Sequence, residues 1–231
     1  MRSAAAAFVG VAFVATSLAS YFAFLPAHAG TLVFWALACG PSIALGVLAA
    51  IWAAREDLLR EWISPRWGDF TRGIVGAAVL FAVALAFGRW VAPVGSRHEV
   101  WLVSLYTQIG DPHGLQAHAA WVGAAFVLVA LAEEIVWRAM VTQLLAEHVG
   151  SRSAWVWAAA LYAAAYLPTM WSVGEGAGPN PVLVVGALGG GLLWGAMARA
   201  FGSIVPSVLA HAGFDWAVVM MFPLWGGRFG V

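Results

Sequence analysis

Residues 119–141 read AAWVGAAFVLVALAEEIVWRAMV. Fourteen apolar or small residues lead without a break to Glu133 and Glu134, and Arg138 follows one turn later. At 1.5 Å per residue a helix needs about 20 residues to cross roughly 30 Å of hydrocarbon, and this stretch has them. A charge at mid-helix costs roughly 2.5–3.5 kcal/mol on insertion scales, so such residues usually face the bundle interior or a cavity. Glu134 and Arg138 are four apart and can pair across one turn. Glu133 is turned about 100° from Glu134 and is left without that partner.

The rest of the chain has the same character. It is 63% hydrophobic with a mean hydropathy of +0.86, against roughly 45–50% apolar for an average globular protein. Eleven arginines balance eleven acidic residues, there is no lysine, and the net charge is zero. So few charges cannot cover a soluble surface, and zero net charge gives no basic footprint for nucleic acid. The lone Cys39 lies in an apolar run and reads as core. The fourteen tryptophans suit membrane interfaces.

The expected fold class is all-α, a polytopic transmembrane bundle of about seven spans, near 5–25, 32–54, 73–91, 119–141, 153–170, 182–198 and 203–222. An eighth is expected if 98–118 hides a short or re-entrant segment. The runs are continuously apolar, not alternating as in a β-barrel. Two parts are expected: membrane helices with an amphipathic loop over 1–114, and the chemistry-bearing core over 115–231. With the N-terminus inside, the inside loops hold Arg2, Arg55, Arg60, Arg66, Arg72, Arg152 and Arg199; the outside set is Arg89, Arg97 and Arg228. This asymmetry predicts a cytoplasmic 55–72 loop, lying at the interface through its tryptophans. The start of the chain also resembles a signal peptide with a site at Ala27-His28-Ala29, although its apolar run exceeds the usual 7–15 residues.

The last apolar span carries His211-Ala-Gly-Phe-Asp215, a histidine and an acid on one helical face. The boundaries above put Glu133 and His211 each about 12 Å from the inside end of its span, a matched depth that favours a shared cavity. Tyr162 and Tyr166 share a face of the fifth span, and Pro168 is expected to break that helix. Gly186, Gly190, Gly191 and Gly195 read as packing devices. Buried carboxylates with a histidine permit water activation for hydrolysis, proton relay in a transporter, or metal binding. Ligand spacing for a metal is weak, and the inverted repeats of a transporter are not evident.

Glu133-Glu134-Ile-Val-Trp-Arg138 together with His211-Ala-Gly-Phe-Asp215 resembles the CPBP family of intramembrane proteases, which includes CAAX prenyl endopeptidases and the Abi proteins. The resemblance covers about residues 115–220. It implies an α-helical membrane bundle, commonly of eight helices, and a glutamate-type peptidase without a cofactor or catalytic metal. It further implies Glu133 as the water-activating base, and Glu134 and Arg138 as groups that hold the site together. His211 and Asp215 would polarise the scissile carbonyl. The implied partners are the lipid bilayer and a membrane-associated protein or peptide substrate, in a bacterial inner membrane. The family's Phe-x-x-x-His motif corresponds to Tyr162-Ala-Ala-Ala-Tyr166, so Tyr166 occupies the place of a histidine. A neutral tyrosine is a poor proton acceptor at pH 7, with a reference pKa near 10. Residues 165–171 and the Pro-Asn-Pro start of the sixth span resemble the myxosortase-like branch, associated with C-terminal sorting tails. A non-catalytic membrane binding protein and a small-solute or proton-coupled transporter are the competing readings.

Overall fold

The computed structural model describes residues 2–173 and 178–221, all helix, turn and loop. The helices are α1 (Arg2–Ala23), α2 (Leu32–Arg55), α3 (Leu59–Ile63), α4 (Asp69–Trp90), α5 (Glu99–Ile109), α6 (Pro112–Ala117), α7 (Ala119–Glu133), α8 (Thr142–Val149), α9 (Ala154–Ala165), α10 (Thr169–Ser172), α11 (Val182–Phe201) and α12 (Val205–Trp216). A π-helical stretch, Glu134–Val141, joins α7 to α8, and a second, Ala217–Met221, follows α12. Among the described residues, five helical segments are long and apolar enough to cross a membrane: Ala6–Ala23, Leu32–Arg55, Asp69–Trp90, Ala119–Val149 and Val182–Phe201. The protein is an integral membrane protein, an all-α polytopic bundle.

Five such segments are fewer than the seven or eight expected from the sequence. The expected 153–170 span is a 12-residue helix, α9, reaching about 18 Å. It ends at Ala165, capped by Tyr166, and Pro168 caps the start of the short α10. Proline disfavours helical backbone at the residue before it, so the break at Leu167-Pro168 is built in. The expected 203–222 span is a shorter apolar helix, Val205–Met220, and residue 222 lies outside the described residues. The 98–118 stretch forms two short helices, α5 and α6, neither of spanning length.

The fourth expected span does not end at 141. Its helix runs on through Val149 because Gln143, Glu147 and His148 make α8 an amphipathic continuation. Counting from the helix ends therefore gives unequal distances, but the two residues still meet at one level, with His211 Nε2 3.9 Å from Glu133 Oε2. Glu133 lies about 24 Å before Val149, whereas His211 lies about 9 Å after the start of α12.

Close approaches fix the packing. α12 lies along α4, where a Cβ on Gly73 would stand 2.5 Å from Leu209 Cβ and one on Gly76 2.9 Å from Ala210 Cβ. α2 meets α7 at Gly46, whose added Cβ would fall 2.6 Å from Ala132 Cα. In α11, Gly191 and Gly195 lie against Ala159 and Trp155 of α9, but Gly186 meets nothing within 4 Å among the described residues.

The arginines segregate. Arg66 Nη1 donates to the Phe201 carbonyl, Ile204 N to the Trp62 carbonyl, and Arg199 Nη1 to the Arg152 carbonyl. These bonds gather the 55–72 loop, the turn before α9 and the α11–α12 turn at one end. The other end is closed by Gln108 Nε2, which donates to the Ala23 and Leu25 carbonyls, and by Ser104, which donates to the Val173 carbonyl. Arg89, in the last turn of α4, and Arg97, in the loop that follows, belong to that second end. Arg228 lies outside the described residues. In the 55–72 loop Trp67 is 99% exposed and Phe70 69%, as an interfacial segment requires. The Ala27-His28-Ala29 site sits in a single 3₁₀ turn after α1, and Cys39 is half-buried, not core.

Candidate active site

Three buried charges sit where α7 passes into the π-helical stretch. Glu134 is fully buried, and Glu133 and Arg138 nearly so. Arg138 Nε lies 3.4 Å from Glu134 Oε1, the pairing the spacing predicts. π-helical turns are rare and frequent at functional sites, because the wider turn re-aims successive side chains. Here the turn begins between the two carboxylates.

α12 supplies the partner. His211 Nδ1 stands 3.1 Å from Glu134 Oε1. A carboxylate paired with arginine only accepts, so Nδ1 carries the proton in that bond. The other ring nitrogen, Nε2, faces two more carboxylates, Asp215 Oδ2 at 3.5 Å and Glu133 Oε2 at 3.9 Å. Trp194 of α11 stacks on the imidazole, with ring centroids 3.7 Å apart and planes 15° from parallel. The histidine is thus held by a hydrogen bond at one edge and by a ring face.

Glu133 takes a different set of partners. Tyr162 OH donates to its Oε2 at 2.6 Å, and Ser42 Oγ donates to its Oε1 at 3.0 Å. Each carboxylate oxygen has a second lone-pair direction, so two acceptor positions remain. Tyr166 packs edge-on against Tyr162, with centroids 5.3 Å apart. Tyr162, not Tyr166, is the tyrosine bonded to Glu133.

The Arg138 guanidinium stands 4.5 Å above the Tyr162 ring and 5.1 Å from that of Trp194. Its two Nη atoms, Glu134 Oε2 and Trp194 Nε1 are buried without a hydrogen-bond partner among the described residues. The two ring faces offset part of the cost of burying the guanidinium. Gly191 makes room for the guanidinium, since a Cβ there would lie 3.3 Å from Nη2. A cavity of about 240 Å³ lies against Arg138, lined also by Trp62, Thr142, Trp155, Gly195 and Arg199; Glu133 and His211 are not among its walls.

Glu133, Glu134, Arg138, His211 and Asp215 therefore form one contact network, with Tyr166 joined to it through Tyr162. Ser42, Tyr162 as the partner of Glu133, and Trp194 were not legible as site residues. Ser42 left one trace, the Gly40-Pro41-Ser42 interruption in an otherwise apolar α2.

Residues 115–217 match the family model described as Type II CAAX prenyl endopeptidase Rce1-like. The chain carries an Rce1-like domain. No curated protein and no solved structure matches the chain. The Rce1-like segment begins in α6, before α7, and runs to the second π-helical turn. It therefore contains every network residue except Ser42, which reaches in from α2. An intramembrane-protease type of fold with a buried Glu133–Glu134–His211 network is thus present at the level of the family.

Proposed function

We propose that the protein is an intramembrane endopeptidase of the glutamate type, acting on membrane-associated protein substrates. The observation that carries this reading is Glu133, a buried carboxylate held by two hydroxyl donors with an imidazole edge 3.9 Å away. Glu133 is the base. It takes a proton from water as the water oxygen attacks the scissile carbonyl, and returns that proton to the leaving amine. His211, fixed at Nδ1 by Glu134, presents Nε2 to the same space. As an imidazolium, that nitrogen donates to the carbonyl oxygen as charge develops on it. Asp215, whose side chain is 25% exposed, stands at the open edge and orients Nε2. Glu134 and Arg138 hold the site together. The catalytic part is the 115–231 segment, and 1–114 supplies the neighbouring helices and the interfacial loop.

In this reading the chain passes through the bilayer seven times, with α9–α10 and α12 as short passages. The arginine-rich end is cytoplasmic, in a bacterial inner membrane. C-terminal sorting tails are the proposed substrate class. Purified protein in liposomes, incubated with tail-anchored peptides and followed by mass spectrometry, should give one pair of complementary fragments. Tyr166, in the place of the expected histidine, favours a second reading as a non-catalytic membrane binding protein. Retention of intact tail-bearing peptides, across several sequences, is the result that reading requires.

A further inference from the structure

We infer that Tyr162 is a catalytic donor: its hydroxyl holds Glu133 in the resting enzyme and moves to the scissile carbonyl oxygen as the tetrahedral intermediate forms. The inference rests on the peptidase reading above.

The direction of the bond is fixed by chemistry. A phenol has one proton and an ionised carboxylate only accepts, so Tyr162 donates to Glu133 Oε2. At 2.6 Å the bond has the length of an O–H···O⁻ contact. The phenol has little freedom to leave. Its ring is bounded by Trp137 and Tyr166, with centroids at 5.4 and 5.3 Å, and by the Arg138 guanidinium on one face. Only rotation about the C–O bond is left, and that rotation is what re-aiming a hydrogen bond requires.

The resting bond and the reaction compete for the same proton donor. When water attacks, its oxygen forms the new C–O bond and the carbonyl π pair becomes the oxyanion lone pair. One water proton passes to Glu133. A neutral carboxylic acid is a weaker acceptor than a carboxylate, so the Tyr162 hydroxyl loses its best partner as a new anion appears beside it. The hydroxyl keeps its own proton and donates a hydrogen bond to the oxyanion. Collapse re-forms the C=O bond, breaks the C–N bond and transfers the Glu133 proton to the departing amine. The phenol then returns to the restored carboxylate. No further reactant is needed.

Ser42 makes the contrast. It also donates to Glu133, but through the opposite oxygen, Oε1, whereas Tyr162 and His211 Nε2 both lie against Oε2. Two donors therefore converge on the Oε2 side, where one carbonyl oxygen could be reached by both. Ser42 is a positioning residue in this scheme.

The test uses the full chain in liposomes with one membrane-anchored peptide substrate and a phosphonate analogue of its tetrahedral intermediate. Tyr162→Phe, which keeps the ring, should lower kcat by about 10²–10³-fold, the range for loss of one oxyanion donor. KM should stay within about two-fold, and the phosphonate should bind more weakly by a factor similar to the kcat loss. Ser42→Ala should cost less than about ten-fold and leave phosphonate and substrate affected alike. Activity of Tyr162→Phe within three-fold of wild type, or a kcat loss with unchanged phosphonate affinity, overturns the inference. If Glu133→Gln is inactive while Tyr162→Phe is not impaired, the peptidase reading stands and the tyrosine role falls. If wild type cleaves nothing and does not bind the phosphonate, both fall.

Discussion

Glu134 receives His211 Nδ1 and Arg138 Nε on the same oxygen, Oε1, and this shared acceptor decides which imidazole edge faces Glu133. One fully buried carboxylate thereby couples the π-helical turn to α12. Its replacement frees a buried cation and a buried histidine together. The geometry is costly to keep and costly to break, and it presents Nε2 toward the second carboxylate.

Breaking the Glu134–Arg138 pair one side at a time should therefore be severe. Removing one partner of a buried ion pair costs about 3–5 kcal/mol, since the other charge is left uncompensated. Glu134→Leu and Arg138→Leu should each lower the thermal unfolding midpoint strongly in detergent. The double variant should lose less than the two single losses combined. Additive losses would mean that the two side chains do not sense each other.

Gly46 at the α2–α7 contact and Gly186 on α11 predict unlike effects of substitution. Gly46→Val places new atoms against Ala132, where an added Cβ already falls 2.6 Å from Cα. Overpacking of this kind costs about 1–3 kcal/mol and moves Ser42 away from Glu133. Gly186→Ala meets nothing within 4 Å and should be neutral, or stabilising by up to about 1 kcal/mol. Unfolding in a detergent series checks both. Equal tolerance at the two positions would contradict the packing described.

Orientation is read by labelling. In a Cys39→Ala background, Trp67→Cys should react with an impermeant thiol reagent only when the cytoplasmic face is accessible. Arg97→Cys should react from the opposite face. Labelling of Trp67→Cys from the outside would invert the topology and open the site to the other compartment.

Tyr166→His should keep activity within a few-fold of wild type. The contact to Glu133 is made by Tyr162, and Tyr166 supports that ring edge-on. A turnover loss as large as that of Glu133→Gln would show that Tyr166 itself enters the chemistry.

The i,i+4 spacings made two relationships legible in the sequence, Glu134 with Arg138 and His211 with Asp215, because a helix turns neighbouring residues into neighbours in space whatever surrounds it. The common level of Glu133 and His211 holds in the contact itself, although the helix end at 141 does not: polar residues beyond it mark an amphipathic continuation and not a stop. Pro168 announced the break that leaves α9 short, yet hydropathy alone still made 153–170 a span. The π-helical turn and the Ser42–Glu133 bond were hidden for a different reason. The bond depends on Gly46 lying against Ala132, some 90 residues apart in the chain, and one sequence carries no signal of that pairing. Tyr166 drew attention because it stands in a motif position, whereas the hydroxyl that reaches the carboxylate is one turn earlier.

The central claim, that Glu133 activates water to hydrolyse a peptide bond, is tested most directly by running the reaction in ¹⁸O-labelled water. Wild-type protein and Glu133→Gln are incubated in matched liposomes with the same tail-anchored peptide, and the new C-terminal carboxylate is weighed. The account predicts one ¹⁸O atom in the wild-type product, and at most residual product from Glu133→Gln, because an amide cannot accept the water proton. Equal product from both forms would contradict it.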